Sequence, residues 1–559
     1  MAEAPEIFIR KKSGFVRTMG PHDALIFNMI CIGFFTASMF SFQMSPFAFP
    51  GANITWAFLL CIVLTTPLYL VWASMSSSMP RTGGDYIYQS RIVHPALAFT
   101  ASFSFTVFWQ YWYDASFAMQ VVIQSIVPPI VRWGYLTHNP ALLELGYKLS
   151  TPFMWWVLTA VVLFLSMLAA MPGLPFYVKL QRVLFGLTCV GVVTIYSLYW
   201  GKTPDVFAAK FNDFMTFAAG EISASDIATY SVYKPIQGPT DWYNYITAVA
   251  YSEGYELVPY NWWDTFGAVP VTLMCMGYGF WTIFVFSEVK RAEDFGLAVY
   301  QMELALIIMG FLFAGLNSIM IHACGREFYN ALFYLYMLGH EVIYKIPVVP
   351  NYVFLADILS PNYAASILLA IGTAAAAVCL VIQIVIVISR MLLAMTFDRL
   401  FPEKLGYVGT KWVSPVYANI SIFLVNLVFA YVGCFWPTFI FYTSAAVLGA
   451  WLAYLVDAIS AVIFKWRMPD VYRASAVSKY EVAGIPLTTI VGVLTIAYCG
   501  FIMYYYIVNP ALGVTYLPSL LLVISVYVGG VIYFYIRRWY MKWKYGINID
   551  LAFTMIPPE

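Results

Sequence analysis

Residues 31–38 read Cys-Ile-Gly-Phe-Phe-Thr-Ala-Ser, and residues 276–281 read Met-Gly-Tyr-Gly-Phe-Trp. Each stretch interrupts a long apolar segment with glycine. In hydrocarbon, an interrupted helix leaves backbone N–H and C=O groups without partners, which is tolerated only where the gap is buried in protein or lines a cavity. Two such gaps at corresponding places in two halves of a chain indicate a binding site near the middle of the bilayer.

The composition indicates a chain that lies mostly in a membrane. Of its 559 residues, 62% are hydrophobic and only 10% are charged, whereas soluble domains are about 25% charged. The net charge of +1 gives no support to a nucleic-acid partner. Eight cysteines are scattered singly and five histidines are present, so the sequence predicts no metal site, disulfide framework or cofactor.

Twelve apolar segments are long enough to cross the bilayer, because a transmembrane helix needs about 20 mostly apolar residues. They are roughly 22–47, 54–78, 94–127, 151–171, 174–200, 264–288, 296–321, 361–394, 415–436, 438–465, 484–508 and 515–537. Lys and Arg concentrate on the cytoplasmic side of membrane proteins. Of the 29 basic residues, 22 fall on the side of the two termini, which predicts a multi-pass plasma-membrane protein with both termini cytoplasmic.

The spans divide into two units of opposite orientation, each beginning with an interrupted segment. The predicted divisions are the cytoplasmic segment 1–21, a first inverted repeat at 22–200, a long extracellular loop at 201–263, a second inverted repeat at 264–465, a cytoplasmic loop at 466–483, two extra spans at 484–537 and a cytoplasmic tail at 538–559. The long loop is rich in aromatic residues, which predicts an ordered cap rather than a disordered linker. This loop is also the candidate docking surface for a partner protein.

Several short strings between the spans are more specific. Residues 79–86 read Met-Pro-Arg-Thr-Gly-Gly-Asp-Tyr, residues 288–290 read Glu-Val-Lys, residues 389–391 read Ser-Arg-Met, and residues 398–399 read Asp-Arg. In order and placement these strings resemble the amino acid–polyamine–organocation (APC) superfamily of permeases, over residues 15–465. The resemblance implies an all-α integral membrane protein with a five-plus-five inverted repeat, broken helices 1 and 6, and two extra C-terminal helices.

The resemblance also implies that backbone groups at the two breaks hold the substrate. N–H groups at the start of a half-helix attract a carboxylate, because they are unpaired and lie at the positive end of the helix dipole. Unwound carbonyl groups in the sixth span are expected to bind an ammonium group. The candidate substrate-binding residues are Gly33, Phe34, Phe35, Thr36, Met276, Gly277, Tyr278, Gly279 and Trp281, with Trp281 as the candidate outer gate. Close helix packing is the alternative role of Gly33 and Gly277.

Ionisable residues inside spans are costly and indicate function. Asp114 in the third span has three open roles: binding a cationic substrate side chain, carrying a coupling proton, or hydrogen bonding a neighbouring helix. Thr188 stands, in an ungapped comparison, where proton-coupled members of the superfamily often carry a lysine. Glu303 and Asp457 lie nearer the cytoplasmic side, where pairing with Lys or Arg is expected.

A network of charged residues is expected to form a gate on the cytoplasmic side. Arg81 and Arg390 are expected to bind carbonyl ends of helices or to pair with nearby carboxylates, and ordinary positive-inside anchoring is the alternative. The candidate gate residues are Arg81, Asp85, Glu288, Lys290, Arg390 and Asp398. The glycine pair at 83–84 allows a tight turn before the third span.

The predicted function is therefore not enzymatic. The chain is expected to be a secondary active transporter that moves amino acids or related amines by alternating access, coupled to protons or working by exchange. The alternatives are a sensor that has lost transport and a structural subunit of a larger membrane complex, both built on the same fold.

Overall fold

The computed structural model describes residues 15–409, 414–436 and 439–557, with side chains for all of these except 439–445. The predictions for residues 1–14, for Lys411 and for residues 558–559 lie outside the described residues. Twelve described helices are long and apolar enough to cross a membrane. We number these spans 1 to 12 in the order Pro21–Ala48, Ile54–Ser78, Pro95–Leu136, Pro152–Ala170, Leu174–Tyr199, Trp262–Glu288, Phe295–Cys324, Tyr363–Phe397, Val416–Phe435, Phe439–Arg467, Leu487–Val508 and Leu517–Tyr545.

Shorter elements connect the spans. The helices are Gly84–Ile92, Pro140–Leu149, Pro204–Ala219, Ala224–Tyr230, Trp242–Ser252, Arg326–Leu338, Glu341–Lys345, Tyr352–Ile358, Glu403–Gly406, Pro469–Ala474, Ala476–Lys479, Pro510–Leu512 and Ile549–Phe553. The strands Glu481–Val482 and Ile485–Pro486 pair antiparallel between spans 10 and 11. The all-α fold class and the twelve spans are confirmed.

Spans 1 and 6 are both interrupted at the predicted stretches. In span 1 a helix covers Pro21–Ile32 and a second covers Ala37–Ala48. Gly33 lies between them with φ of 72°, a left-handed conformation that a side chain disfavours. In span 6 the α-helix ends at Met276, and a 3₁₀-helix begins at Trp281. The two halves of the chain therefore each begin with a broken span.

Span 3 departs from the predicted end near residue 127 and continues to Leu136. Pro128 and Pro129 do not stop it; they lie in the first turn of the helical segment Val127–Leu136, which continues directly from a π-helical segment. Two π-helical segments, Phe103–Phe108 and Val122–Ile126, widen the span. Such segments often occur at functional sites, and the sequence pattern did not indicate them.

Both described ends of the chain lie at one end of the bundle. The Arg81 side chain donates through Nε to the carbonyl of Pro557 at 2.8 Å. The backbone N–H of Thr18 donates to the carbonyl of Glu288 at 2.9 Å. We call this end the terminal face, and the opposite end, which carries residues 200–261, the loop face.

The long segment on the loop face is ordered, as its aromatic content predicts. The ring of Tyr243 stacks on Phe328 with centroids 4.3 Å apart, and Lys234 pairs with Glu327 at 2.7 Å. These contacts hold the segment against the helix Arg326–Leu338. That helix in turn holds the loop-face half of span 1, because the Tyr329 hydroxyl donates to the Phe42 carbonyl at 3.1 Å. The cap is thus connected to the helix that follows the first break.

Candidate functional site

The break in span 1 leaves backbone donors unused. The N–H of Gly33 still bonds the carbonyl of Met29, at 3.3 Å, and closes the first half-helix. The N–H groups of Phe34 and Phe35 bond no acceptor among the described residues. The buried Thr36 hydroxyl is likewise without a described partner. These groups sit at the start of the second half-helix, where free N–H groups and the positive dipole end favour an anion.

The break in span 6 presents carbonyl groups, but three of the four predicted ones accept hydrogen bonds in this conformation. The Tyr69 hydroxyl donates to the carbonyl of Met276 at 2.5 Å and accepts the N–H of Gly279 at 2.8 Å. The Gly277 carbonyl accepts from the Tyr454 hydroxyl at 3.0 Å. The Tyr278 carbonyl accepts from the N–H two residues later in the chain, at 2.8 Å. The Gly279 carbonyl has no donor in the described part of the chain.

Tyr69→Phe is expected to destabilise the protein because it leaves two backbone groups at the break, Met276 C=O and Gly279 N–H, without their partner. An unsatisfied buried polar group costs about 1–3 kcal/mol. Thermal unfolding of the purified protein in detergent measures the loss. The matched control is Tyr504→Phe, since Tyr504 is 49% exposed. Equal unfolding temperatures for the two variants contradict a supporting role of the Tyr69 hydroxyl.

Side chains from distant segments hold the two breaks together. The Asn28 amide accepts the N–H of Thr282 at 3.1 Å and donates to its hydroxyl at 3.1 Å, which joins spans 1 and 6. The Phe34 carbonyl accepts from the Tyr352 hydroxyl at 2.5 Å. Sequence reasoning missed these residues, because nothing local to Asn28 or Tyr352 signals a contact with a segment more than 250 positions away.

Span 3 contributes a polar face that sequence reasoning also missed. The Tyr278 hydroxyl donates to the Tyr113 hydroxyl at 2.9 Å, which places this part of span 3 beside the second break. Gln110 lies three residues before Tyr113 and Gln120 lies seven residues after it. By the 3.6-residue period, both therefore lie on the side of the helix that carries Tyr113. Both amide atoms of Gln110 and the Nε2 atom of Gln120 are buried without described partners. Glutamines inside an apolar span were the available signal.

Three of the substrate-site candidates on the two breaks are buried in this conformation. Phe34 is 4% exposed, Tyr278 5% and Trp281 2%. Trp281 begins the terminal-face half of span 6, and its Nε1 atom has no described partner. The gating role of Trp281 stays a prediction.

Asp114 and Thr188 form their hydrogen bonds with groups outside the two breaks. The Asn426 amide of span 9 donates to the Asp114 carboxylate, so the contact present is the hydrogen bond to a neighbouring helix. The Thr188 hydroxyl donates to the carbonyl of Leu184 in its own helix at 2.9 Å. Neither residue contacts a break through the hydrogen bonds described.

The predicted gate on the terminal face separates into several contacts. Arg390 pairs with Glu288, with Nε and Oε1 2.9 Å apart, and their side chains are 1% and 3% exposed. Asp398 instead pairs with Arg91 at 3.1 Å, a residue that sequence reasoning did not single out. This second pair is also buried, with side chains 0% and 1% exposed.

The other gate candidates make no ion pair in the described residues. Arg81 donates to backbone carbonyls, including that of Pro557. Lys290 is exposed, and its backbone N–H bonds the Met19 carbonyl at 2.9 Å. Asp85 is fully buried and accepts from backbone and serine donors only. The six candidates therefore form separate contacts in the described residues, and their gating role stays a prediction.

On the terminal face, the end of span 6 is in contact with the start of span 1 and with the turn at Gly83. Met19 and Val289 form a parallel backbone bridge. The N–H of Gly83 donates to the Phe284 carbonyl at 3.3 Å. Gly84 has φ of 49°, and a Cβ atom there would lie 2.8 Å from side-chain carbons of span 6, so the close approach requires glycine. The turn before the helix Gly84–Ile92 is thus packed directly on span 6.

Comparison with known proteins adds one positive finding. A family model described as amino acid permease matches residues 24–531, which is most of the chain. No curated protein sequence matches the chain at a significant level.

Proposed function

The chain belongs to the amino acid permease family, and from that premise we propose that it is a secondary active transporter of amino acids or related amines. The family and the twelve apolar helices support a multi-pass membrane transporter rather than an enzyme. The observation that carries the substrate class is the pair of N–H groups at Phe34 and Phe35, which lie inside the protein at a half-helix start and have no acceptor among the described residues.

The substrate carboxylate binds these two N–H groups in the proposed complex, with the Thr36 hydroxyl as a third donor. Its ammonium group binds the Gly279 carbonyl, and the carbonyls of Met276 and Gly277 become available when the tyrosine hydroxyls that bond them move. The hydrogen bonds described at the two breaks involve no charged side chain. A zwitterion suits such a site, because its two charges are met by backbone dipoles of opposite sense.

In the proposed cycle, span 6 moves relative to the elements packed against its terminal-face end, which are span 8 and the turn at Gly83. The terminal face is cytoplasmic in this proposal, because the predicted order of spans assigns 22 of the 29 basic residues to the side of the two termini. Transport then requires the Arg390–Glu288 pair and the contact between Gly83 and Phe284 to open on the cytoplasmic side. The plasma membrane is the proposed location.

Uptake into proteoliposomes tests the substrate class. We expect saturable uptake of at least one radiolabelled amino acid, and weak competition by its carboxamide and its N-acetyl derivative. Loss of one charged contact corresponds to about tenfold weaker competition for each 1.4 kcal/mol removed. Competition by the carboxamide as strong as that by the amino acid contradicts the backbone site. Binding in a thermal-shift assay without uptake favours the sensor.

A further inference from the structure

Two buried carboxyl groups near the terminal face remain unexplained by the substrate site. Asp457 of span 10 is 1% exposed and Asp85 of the helix Gly84–Ile92 is 0% exposed. Asp457 accepts from the Trp72 indole at 2.8 Å and from the Gln89 amide at 2.5 Å. The expectation that Asp457 pairs with a basic residue is wrong for the described residues, because its two donors, an indole and an amide, carry no charge.

The two carboxyl groups belong to one hydrogen-bonded cluster. The Ser102 hydroxyl lies 3.3 Å from Asp85 Oδ1 and 3.4 Å from Gln89 Oε1, and the other end of Gln89 bonds Asp457. Asp85 Oδ1 also accepts the N–H of Tyr86 at 2.7 Å. Asp85 Oδ2 is buried with no hydrogen-bond partner in the described residues. A carboxyl oxygen in that position is suited to carry a proton.

No positive charge faces this cluster among the described residues. The titratable groups that interact with the two carboxyls are Tyr88, Tyr454 and Cys499, and the charge of Asp457 acts on Asp85. Arg91 lies on the same short helix as Asp85, but its guanidinium is held by Asp398 and by the Ala552 carbonyl at 3.1 Å. Burial, followed by the charge of Asp457, raises the pKa of Asp85 well above its ordinary value.

We propose that Asp85 and Asp457 together form a proton-binding site that holds one proton in the closed state and releases it as the terminal face opens. Two ionised carboxylates without a countercharge are too costly in a buried site, whereas a pair that shares one proton is tolerated. The proposal rests on the transport function proposed above and supplies its coupling ion.

Two side chains, Trp72 and Tyr454, connect the cluster to the second break. The Trp72 ring, whose indole holds Asp457, stacks on Phe280 with centroids 3.5 Å apart. Tyr454, one helical turn before Asp457, holds the Gly277 carbonyl. A change of charge at Asp457 therefore acts on groups that contact the break itself.

The cluster is also connected to the terminal face. Asp85 lies at the start of the helix Gly84–Ile92, directly after the turn that packs on span 6 through Gly83 and Phe284. When the shared proton leaves, the two carboxylates repel each other, and the short helix separates from span 10. Separation pulls the turn away from span 6 and opens this face, and the proton passes to water there.

Accumulation driven by a pH gradient tests the proton site. The probe is the amino acid that gives saturable uptake, in proteoliposomes with the membrane potential held at zero. A gradient of one pH unit supplies about 1.36 kcal/mol per proton, so one coupled proton sustains about tenfold accumulation. We expect this accumulation in the unmodified protein and in Glu303→Gln. We expect none in Asp85→Asn or Asp457→Asn, because a neutral amide in place of either carboxylate removes the repulsion that opens the terminal face.

Glu303 is the matched control because it is a partly buried carboxyl that lies outside the cluster. It is bonded to the Thr66 hydroxyl at 2.5 Å. Gradient-driven accumulation that survives in both aspartate variants overturns the proposal. So does accumulation in the unmodified protein that follows a sodium gradient and ignores pH. Loss of accumulation in Glu303→Gln alone assigns the proton to Glu303 and likewise overturns it.

A second readout does not depend on transport. Infrared difference spectra of the purified protein, taken between acidic and alkaline pH, report protonated carboxyl groups directly. We expect a carboxyl band that titrates above the ordinary aspartate range, that is lost in Asp85→Asn and in Asp457→Asn, and that persists in Glu303→Gln. A band unchanged in both aspartate variants overturns the proton site. The absence of uptake in the unmodified protein, with this band behaving as expected, contradicts the transport function and leaves the proton site standing.

Discussion

Arg390→Met is expected to lower the free energy of unfolding by about 3–5 kcal/mol, the usual cost of removing one partner from a buried ion pair. The reason is that Glu288 stays behind as a buried charge, since its side chain is only 3% exposed and Arg390 is its ion-pair partner. The guanidinium also lies over the ring of Phe15 at 4.4 Å, a contact that methionine cannot replace. Chemical or thermal unfolding in detergent measures the change.

The control for this variant is Arg17→Met. Arg17 pairs with Glu293 at 2.8 Å, but the two side chains are 44% and 61% exposed. Exposed pairs contribute at most about 1 kcal/mol, so this variant is expected to unfold close to the unmodified protein. The double variant Arg390→Met with Glu288→Gln is expected to recover part of the loss, because the unpaired charge is gone. A loss from Arg390→Met no larger than that from Arg17→Met contradicts a gate stabilised by this pair.

Gly33→Ala is expected to abolish most uptake while it also destabilises the fold. A left-handed backbone costs a residue with a side chain about 1–2 kcal/mol. The added Cβ atom would lie 2.3 Å from the Thr36 hydroxyl oxygen and 3.1 Å from the Ala37 nitrogen. Relief of that clash moves the N–H groups proposed to bind the substrate. A loss of about 1.4 kcal/mol in binding at the site corresponds to a tenfold change. We expect uptake by this variant to fall by at least that factor.

Gly186→Ala is the matched control for the glycine at the break. Gly186 lies inside the helix of span 5, where an added Cβ atom meets nothing within 4 Å. Alanine is a better helix former than glycine by about 1 kcal/mol, so stability is expected to stay or rise. Uptake by this variant is expected to match the unmodified protein. Equal uptake by the two alanine variants, measured at equal protein in the vesicles, excludes a role for the break at Gly33.

The positions of the breaks could be predicted because their causes are local. Gly33 and the glycines at 277 and 279 interrupt apolar segments whose lengths are set by the bilayer, and both facts are visible within about 20 residues. The partners of the breaks could not be predicted. Tyr69 and Tyr454 reach span 6 from spans 2 and 10, and a tyrosine in an apolar span gives no sign of which neighbour its hydroxyl meets.

The contacts of the charged residues could likewise be predicted only in part. Arg390 and Glu288 were expected in one gate, and they form one buried pair. Asp398 was expected in that gate too, but it pairs with Arg91. A list of charges near one face does not determine which cation reaches which carboxylate, because pairing is decided by side-chain separations within about 4 Å.

Asp457 is the clearest case of a role that only the fold decides. Its place in an apolar span marks it as costly, and the basic residues nearby in sequence made an ion pair the natural expectation. Helix packing brings Trp72 and Gln89 to it instead, and brings Asp85 into the same cluster.

By itself the sequence determined the membrane class, the twelve spans, the two interruptions and the family resemblance. Each of these follows from hydropathy, glycine placement or short strings read along one segment. The tertiary structure alone decided which carbonyls at the second break are occupied, which ions pair on the terminal face, and that two aspartates share one buried cluster. The physical reason is that hydrogen bonds and ion pairs act over a few ångströms, between segments that lie hundreds of residues apart in the chain.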